Sequence, residues 1–195
     1  NMRVMEILAE ATNIIAEGEV QQLMNMHDAS LDEVGYLKVI RSKTAKLFEA
    51  SARLGAILTN CPQAIEEACA TYGRSLGTAF QVIDDVLDYD GNATEMGKNL
   101  GDDLREGKAT LPLILAMQRG TGEQRLVIQN AIENGATEEL DTIIQIVRST
   151  GALAGARAAA AQEAETAIAA ISTFPSNEHT TALVQLAANL LGRRH

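Results

Sequence analysis

Apolar residues recur at a helical period from the first turn of the chain. Between positions 4 and 26 they fall at 4, 8, 11 and 15 and again at 20, 23 and 24, one stripe of an amphipathic helix. Met24 and Met26 read as core residues within it. Ser30-Leu-Asp-Glu33 has the spacing of a capping box and predicts the start of a second helix running to about position 58. Asn60-Cys-Pro62 ends that helix and opens a third, over 62–89, with Pro62 suited to a first helical turn. An irregular stretch follows Asp90 and reaches Ala109, with glycines at 91, 97, 101 and 107. Beyond it the pattern predicts helices over 110–118, 122–133, 137–149, 151–171 and 176–191. The alanine-rich 151–170 reads as a helix with alanine on its packed face and Gln162, Glu163 and Glu165 in solvent. No alternating strand pattern of useful length interrupts this series. The fold class is all-α.

Composition narrows the function classes. Lys and Arg number 16 against 26 Asp and Glu, a net charge of −10, and no basic run occurs, which excludes a nucleic-acid grip. Hydrophobic residues make up 46%, ample for a core, so disorder is excluded. Three Tyr, three Phe and no Trp speak against a β-sandwich and against stacking platforms for bases. The longest apolar run, 109–117, is short and broken by Pro112, so no transmembrane segment is predicted. Cys61 and Cys69 support neither a disulfide framework nor a zinc site and read as buried thiols of a reducing cytoplasm. His27, His179 and His195 are too scattered for a metal site, and no nucleophile–base set stands out. The chain opens at Asn1-Met2-Arg3, already periodic and without a capping residue, so a segment is expected upstream.

The chemistry concentrates in Phe80-Gln-Val-Ile-Asp-Asp-Val-Leu-Asp88. Asp84 and Asp88 are four apart and share a helix face, Asp85 lies about 100° around, and Gln81 sits one turn back. Like-charged neighbours cost a few tenths of a kcal/mol per pair, and the C-terminal end of a helix disfavours anions. An acidic helix end in water is one reading; a carboxylate set awaiting a cation is the other. Oxygen donors on one or two carboxylates suit Mg²⁺ shared with phosphate oxygens. A calcium loop fails, because with Gly91 as its turn glycine the first ligand would be Val86 and the closing position Gly97. The glycine-punctuated loop that follows carries Lys98, Arg105 and Lys108, cations that a diphosphate could use. Asp102 and Asp103 read as partners of those lysines rather than as metal ligands. Lys43, among Ile40, Leu47 and Phe48, either points inward or snorkels to the surface.

Phe80-Gln-x-x-Asp-Asp-x-x-Asp88 followed by Gly97-Lys98-x-x-Gly-Asp-Asp103-x-x-x-Gly-Lys108-x-Thr-Leu-Pro112 resembles the second aspartate-rich region of the trans-prenyl diphosphate synthases. Gly18-Glu-x-x-Gln22-Leu and Tyr36-Leu-x-x-Ile-x-x-Lys43-Thr44-Ala-x-Leu-Phe48 fit the same family. The resemblance implies an all-α bundle of the isoprenoid synthase type. In it, Mg²⁺ assists the condensation of isopentenyl diphosphate with an allylic diphosphate to a long all-trans chain. It implies Asp84 as metal ligand with Asp85 and Asp88 in support, and Lys43, Lys98 and Lys108 on diphosphate oxygens. Thr44 and Gln81 would orient oxygens toward the developing allylic cation. It divides the chain into core helices over 1–92, a catalytic loop over 93–109 and C-terminal helices over 110–195, and it implies a cytoplasmic homodimer. The family also uses a first aspartate-rich motif with adjacent arginines on an earlier helix. Neither occurs in these 195 residues, so the chain is expected to be the C-terminal portion of such an enzyme and inactive alone. The alternatives are a non-catalytic accessory subunit or helical interaction module, and a class I terpene cyclase.

Overall fold

The computed structural model describes residues 1–90, 100–135 and 138–192, and no strand occurs among them. Its helices are α1 (Met2–Met24), α2 (Glu33–Ile40), α3 (Lys46–Leu58), α4 (Gln63–Asp90), α5 (Asp102–Arg105), α6 (Leu111–Arg119), α7 (Gly122–Asn134), α8 (Leu140–Ser149), α9 (Ala152–Ala170) and α10 (Glu178–Leu191). A π-helical turn, Arg41–Ala45, joins α2 to α3. The all-α expectation holds. No described helix is long and apolar enough to cross a membrane.

Several local expectations are revised. The second helix starts through Asp32, whose Oδ1 accepts the Gly35 amide at 2.8 Å, while Ser30 bonds instead to Asp28. The capping box therefore does not form; Asp32 already satisfies the amide of the third helical residue. The same helix is not regular to Leu58, because the π-helical turn interrupts it. On α1 the buried residues are Ile7, Ala11 and Gly18, whereas Leu8, Val20, Leu23 and Met24 are exposed, Met24 at 79%. Met26 is half-buried, so neither methionine is a core residue. Two of the three buried positions of α1, Ala11 and Gly18, are small, and only Ile7 is a large apolar residue. Cys61 and Cys69 are free and half-buried, not buried. Position 137 and most of the irregular stretch, 91–99, lie outside the described residues, and α5 occupies part of the remainder.

The chain forms two compact units interleaved in sequence, one of Asn1–Val20, Lys38–Gln81 and 160–192, the other of Gln21–Leu37 and Val82–Ala159. The first is held by close backbone approach. A Cβ on Gly73 would stand 2.4 Å from the Phe48 carbonyl oxygen, and one on Gly77 would stand 2.7 Å from the Ala45 Cα. Phe48 and Phe80 pack with ring centroids 5.5 Å apart. Ile7, Ala11, Ala50 and Ile57 form a buried cluster, and Ala160, Ala164 and Ala167 bury the packed face expected of α9. Gln162 and Glu165 are exposed, but Glu163 is half-buried and accepts from Arg41 at 2.8 Å.

In the second unit Ile83, Val86, Leu104, Leu111, Leu113, Ile128, Ile132 and Ile143 are fully buried or nearly so. Around them, one turn depends on a left-handed glycine. Gly107 (φ 71°) receives the His27 amide on its carbonyl at 2.8 Å. Its missing Cβ leaves room for the His27 ring, which a side chain would meet at 2.4 Å. Lys108 follows directly, so this turn fixes where that lysine leaves the backbone.

Candidate functional site

In the first unit, the π-helical turn presents Lys43 and Thr44. A wide turn inserts one extra residue per turn into a helix and is a frequent mark of a functional position. Thr44 Oγ1 donates to Gln81 Oε1 at 2.9 Å, so a residue of the turn and the first polar residue of the aspartate-rich segment are tied. Lys43 neither inserts into the core nor extends into open water. Its ammonium is half-buried and meets Glu19 Oε2 of α1 at 3.1 Å.

In the second unit, the three carboxylates at the end of α4 have three different environments. Asp84 is half-buried and makes no hydrogen bond or ion pair with the described residues. Asp85 is only 4% exposed and accepts the Tyr36 hydroxyl at 2.6 Å. Burial first, and then the Asp85 charge, push the Tyr36 phenol well above its ordinary range, so it stays a donor. Asp88 takes the Asp102 amide on Oδ1 at 3.2 Å and the Asp103 amide on Oδ2 at 3.1 Å. It thus satisfies amides at the start of α5 that have no helical partner. Burial and then the Asp103 charge push its carboxyl up to about 6, against the two amide bonds that favour the anion.

The aspartates Asp84, Asp85 and Asp88 therefore do not converge, and no group of three metal-ligating side chains exists among the described residues. The reason is helical. Adjacent residues project about 100° apart, and Asp85 points inward where a buried donor meets it. Asp84 is the carboxylate of the three with no hydrogen bond or ion pair to the described residues.

Lys108 pairs with Asp103 Oδ1 at 3.1 Å and Glu106 Oε2 at 2.6 Å. Burial works against its charge, but Glu106 and Asp103 outweigh it and hold the ammonium above its usual range. Asp103 and Glu106 thus hold a lysine, as the sequence suggests, whereas Asp102 pairs with Arg105 instead. Lys98 lies outside the described residues.

Tyr36 and Glu19 are the residues to which sequence reasoning gave no role. Both fall within the matched motifs, yet their partners are 49 and 24 positions away, beyond any periodicity argument. Tyr36→Phe removes the hydroxyl that donates to the buried Asp85 carboxylate. It should lower stability by about 1–3 kcal/mol, read as a fall in the urea midpoint at unchanged slope.

The Octaprenyl diphosphate synthase of Escherichia coli (strain K12) is 47% identical over 188 residues, 96% of this chain and 58% of that protein. The All-trans-nonaprenyl-diphosphate synthase (geranyl-diphosphate specific) of Rhodobacter capsulatus is 42% identical over 193 residues, 99% of this chain and 59% of that protein. Among solved structures, polyprenyl synthase from Caulobacter crescentus CB15, complexed with calcium and isoprenyl diphosphate, matches at a TM-score of 0.95 and 43% identity. It covers 100% of this chain and 60% of its own. The chain spans about three-fifths of the length of these relatives. The fold is the all-α isoprenoid synthase fold. A sequence profile of the Polyprenyl synthetase family matches residues 1–149, a stretch that holds the π-helical turn, the aspartates of α4 and the Lys108 turn. The chain belongs to the Polyprenyl synthetase family.

Proposed function

We propose that this chain is the part of a long-chain trans-prenyl diphosphate synthase that binds and ionises the allylic diphosphate. It would be one portion of a single all-α catalytic domain, acting as a cytoplasmic homodimer. The observation that carries this reading is Asp84, a half-buried carboxylate without a partner among the described residues, on a helix whose other acidic residues are satisfied internally.

The donor set fits Mg²⁺. It offers hard carboxylate oxygens, no nitrogen or sulfur, and few enough of them that phosphate oxygens and water would complete the shell. Burial first, and then the Asp103 charge, hold the Asp88 carboxyl up to about 6, and a nearby cation would favour its anion. Asp84 would be the ligand and Asp88 its support, with Asp85 anchoring the helix end through Tyr36. When bound, the ion supplies positive charge against the departing diphosphate, a Lewis-acid contribution. Lys43, Lys98 and Lys108 bind diphosphate oxygens, Lys43 and Lys108 by exchanging the carboxylates that now hold them. Thr44 and Gln81, already joined at 2.9 Å, aim oxygen dipoles at the carbon that becomes cationic. Apolar helix faces keep water from that carbon, and the released diphosphate takes the proton lost by the isopentenyl unit, so no poised His or Glu is required.

The test is isothermal titration of inorganic pyrophosphate into the chain. Saturable binding is expected with Mg²⁺ and none with EDTA. Binding that ignores Mg²⁺, or no binding at all, contradicts the reading and favours a non-catalytic accessory role.

A further inference from the structure

Every cation of the segment from Arg41 to Lys46 faces a carboxylate. Arg41 meets Glu163 at 2.8 Å, and Lys46 is 11% exposed and gripped by Glu10 and Glu49 at 2.9 Å each. The Lys43 pair is different. Glu19 gives it a single contact at 3.1 Å, and the Glu19 side chain is 50% exposed. Among the described residues Glu19 has no other partner.

Gly18 puts Glu19 there. A Cβ on Gly18 would stand 2.6 Å from the Lys43 backbone nitrogen and 2.9 Å from the Ser42 Cβ. The backbone of α1 therefore rests directly on the π-helical turn, and the next side chain along α1 is delivered to the Lys43 ammonium. A half-exposed ion pair is cheap to break, whereas a diphosphate oxygen is a stronger partner for an ammonium than one solvated carboxylate. Once displaced, the Glu19 carboxylate remains beside the ligand as a like charge.

Resting on the reading of Lys43 as a diphosphate ligand, we propose that Glu19 is a positioning and affinity-setting residue. Its carboxylate holds the Lys43 ammonium in the ligand-free chain, yields it to a diphosphate oxygen, and keeps diphosphate affinity low enough for release. Prenyl transfer leaves inorganic diphosphate in the site, and a site that grips this product too tightly stalls.

The experiment titrates inorganic pyrophosphate with excess Mg²⁺ into the full chain and into its Glu19→Gln, Lys43→Met and doubly substituted forms. Glu19→Gln should tighten binding about two- to fivefold, the range of a half-exposed ion pair. Lys43→Met should weaken it about tenfold or more, the loss of one charge-assisted hydrogen bond. With Lys43 removed, Glu19→Gln should have at most a small further effect, a coupling that a purely structural role would not produce. Unchanged or weaker binding by Glu19→Gln, while Lys43→Met still weakens, overturns the inference alone. Unchanged binding by Lys43→Met, or no binding by the parent chain, overturns the reading beneath it.

Discussion

Asp84→Asn is expected to reduce Mg²⁺-dependent pyrophosphate binding by at least about 100-fold. Loss of residues that merely support a metal ligand costs about 10- to 100-fold, and Asp84 is proposed as the ligand itself. The substitution keeps the side chain's size and removes one negative charge from a helix end already crowded with them. Folding should not suffer, because Asp84 makes no hydrogen bond or ion pair with the described residues. The melting temperature is expected to stay level or rise slightly as like-charge repulsion is relieved. Asp85→Asn should show the opposite profile: it disturbs the buried pair with Tyr36 and lowers stability more than affinity. A titration and a thermal melt on each variant separate the two roles. Equal losses of affinity from both would mean that the aspartates act as one unit.

The second large effect is an absence. Incubated with isopentenyl and farnesyl diphosphates and Mg²⁺, these 195 residues alone are expected to yield no condensation product. The chain carries a single Asp-Asp-x-x-Asp, at Asp84, and its net charge is −10. Condensation needs two diphosphate esters held together, each strongly anionic, and the described cations are already matched to carboxylates at Lys43 and Lys108. One metal-assisted diphosphate site accounts for binding and not for turnover. Incorporation of labelled isopentenyl diphosphate into an apolar extract measures this directly. Product above the no-enzyme control would show that one acidic motif is sufficient.

Much of the architecture is legible from residue pattern because helices are local. Pro62 and the period that follows mark α4 almost to the residue, and the helix expected over 122–133 agrees with α7. What escapes the pattern is non-local. The π-helical turn inserts no glycine or proline, so nothing in Arg41-Ser-Lys-Thr-Ala45 breaks the apolar period. Near its C-terminal end α1 makes contact through Gly18, whose value is the side chain it lacks; a hydropathy reading places Ala11 and Val4 correctly but ranks the exposed Leu23 and Met24 above Gly18. The three aspartates illustrate the same limit. Their spacing correctly separates Asp85 from the Asp84 and Asp88 face, but the buried donor that Asp85 meets, Tyr36, lies 49 positions earlier and is invisible to spacing. Asp88 turns to the amides of α5, a helix of four residues too short for periodicity to reveal.

In the proposed function Asp84, the carboxylate near the end of α4 without a partner among the described residues, receives a divalent cation bridged to diphosphate. Crystals of the chain grown with Mn²⁺ and pyrophosphate test it most directly, since manganese is visible by its anomalous scattering. A manganese peak is expected at coordination distance from Asp84, about 2.1 Å, with pyrophosphate oxygens completing its shell. A peak on Asp102 or Asp103 with Asp84 bare, or ordered pyrophosphate with no metal beside α4, would contradict it.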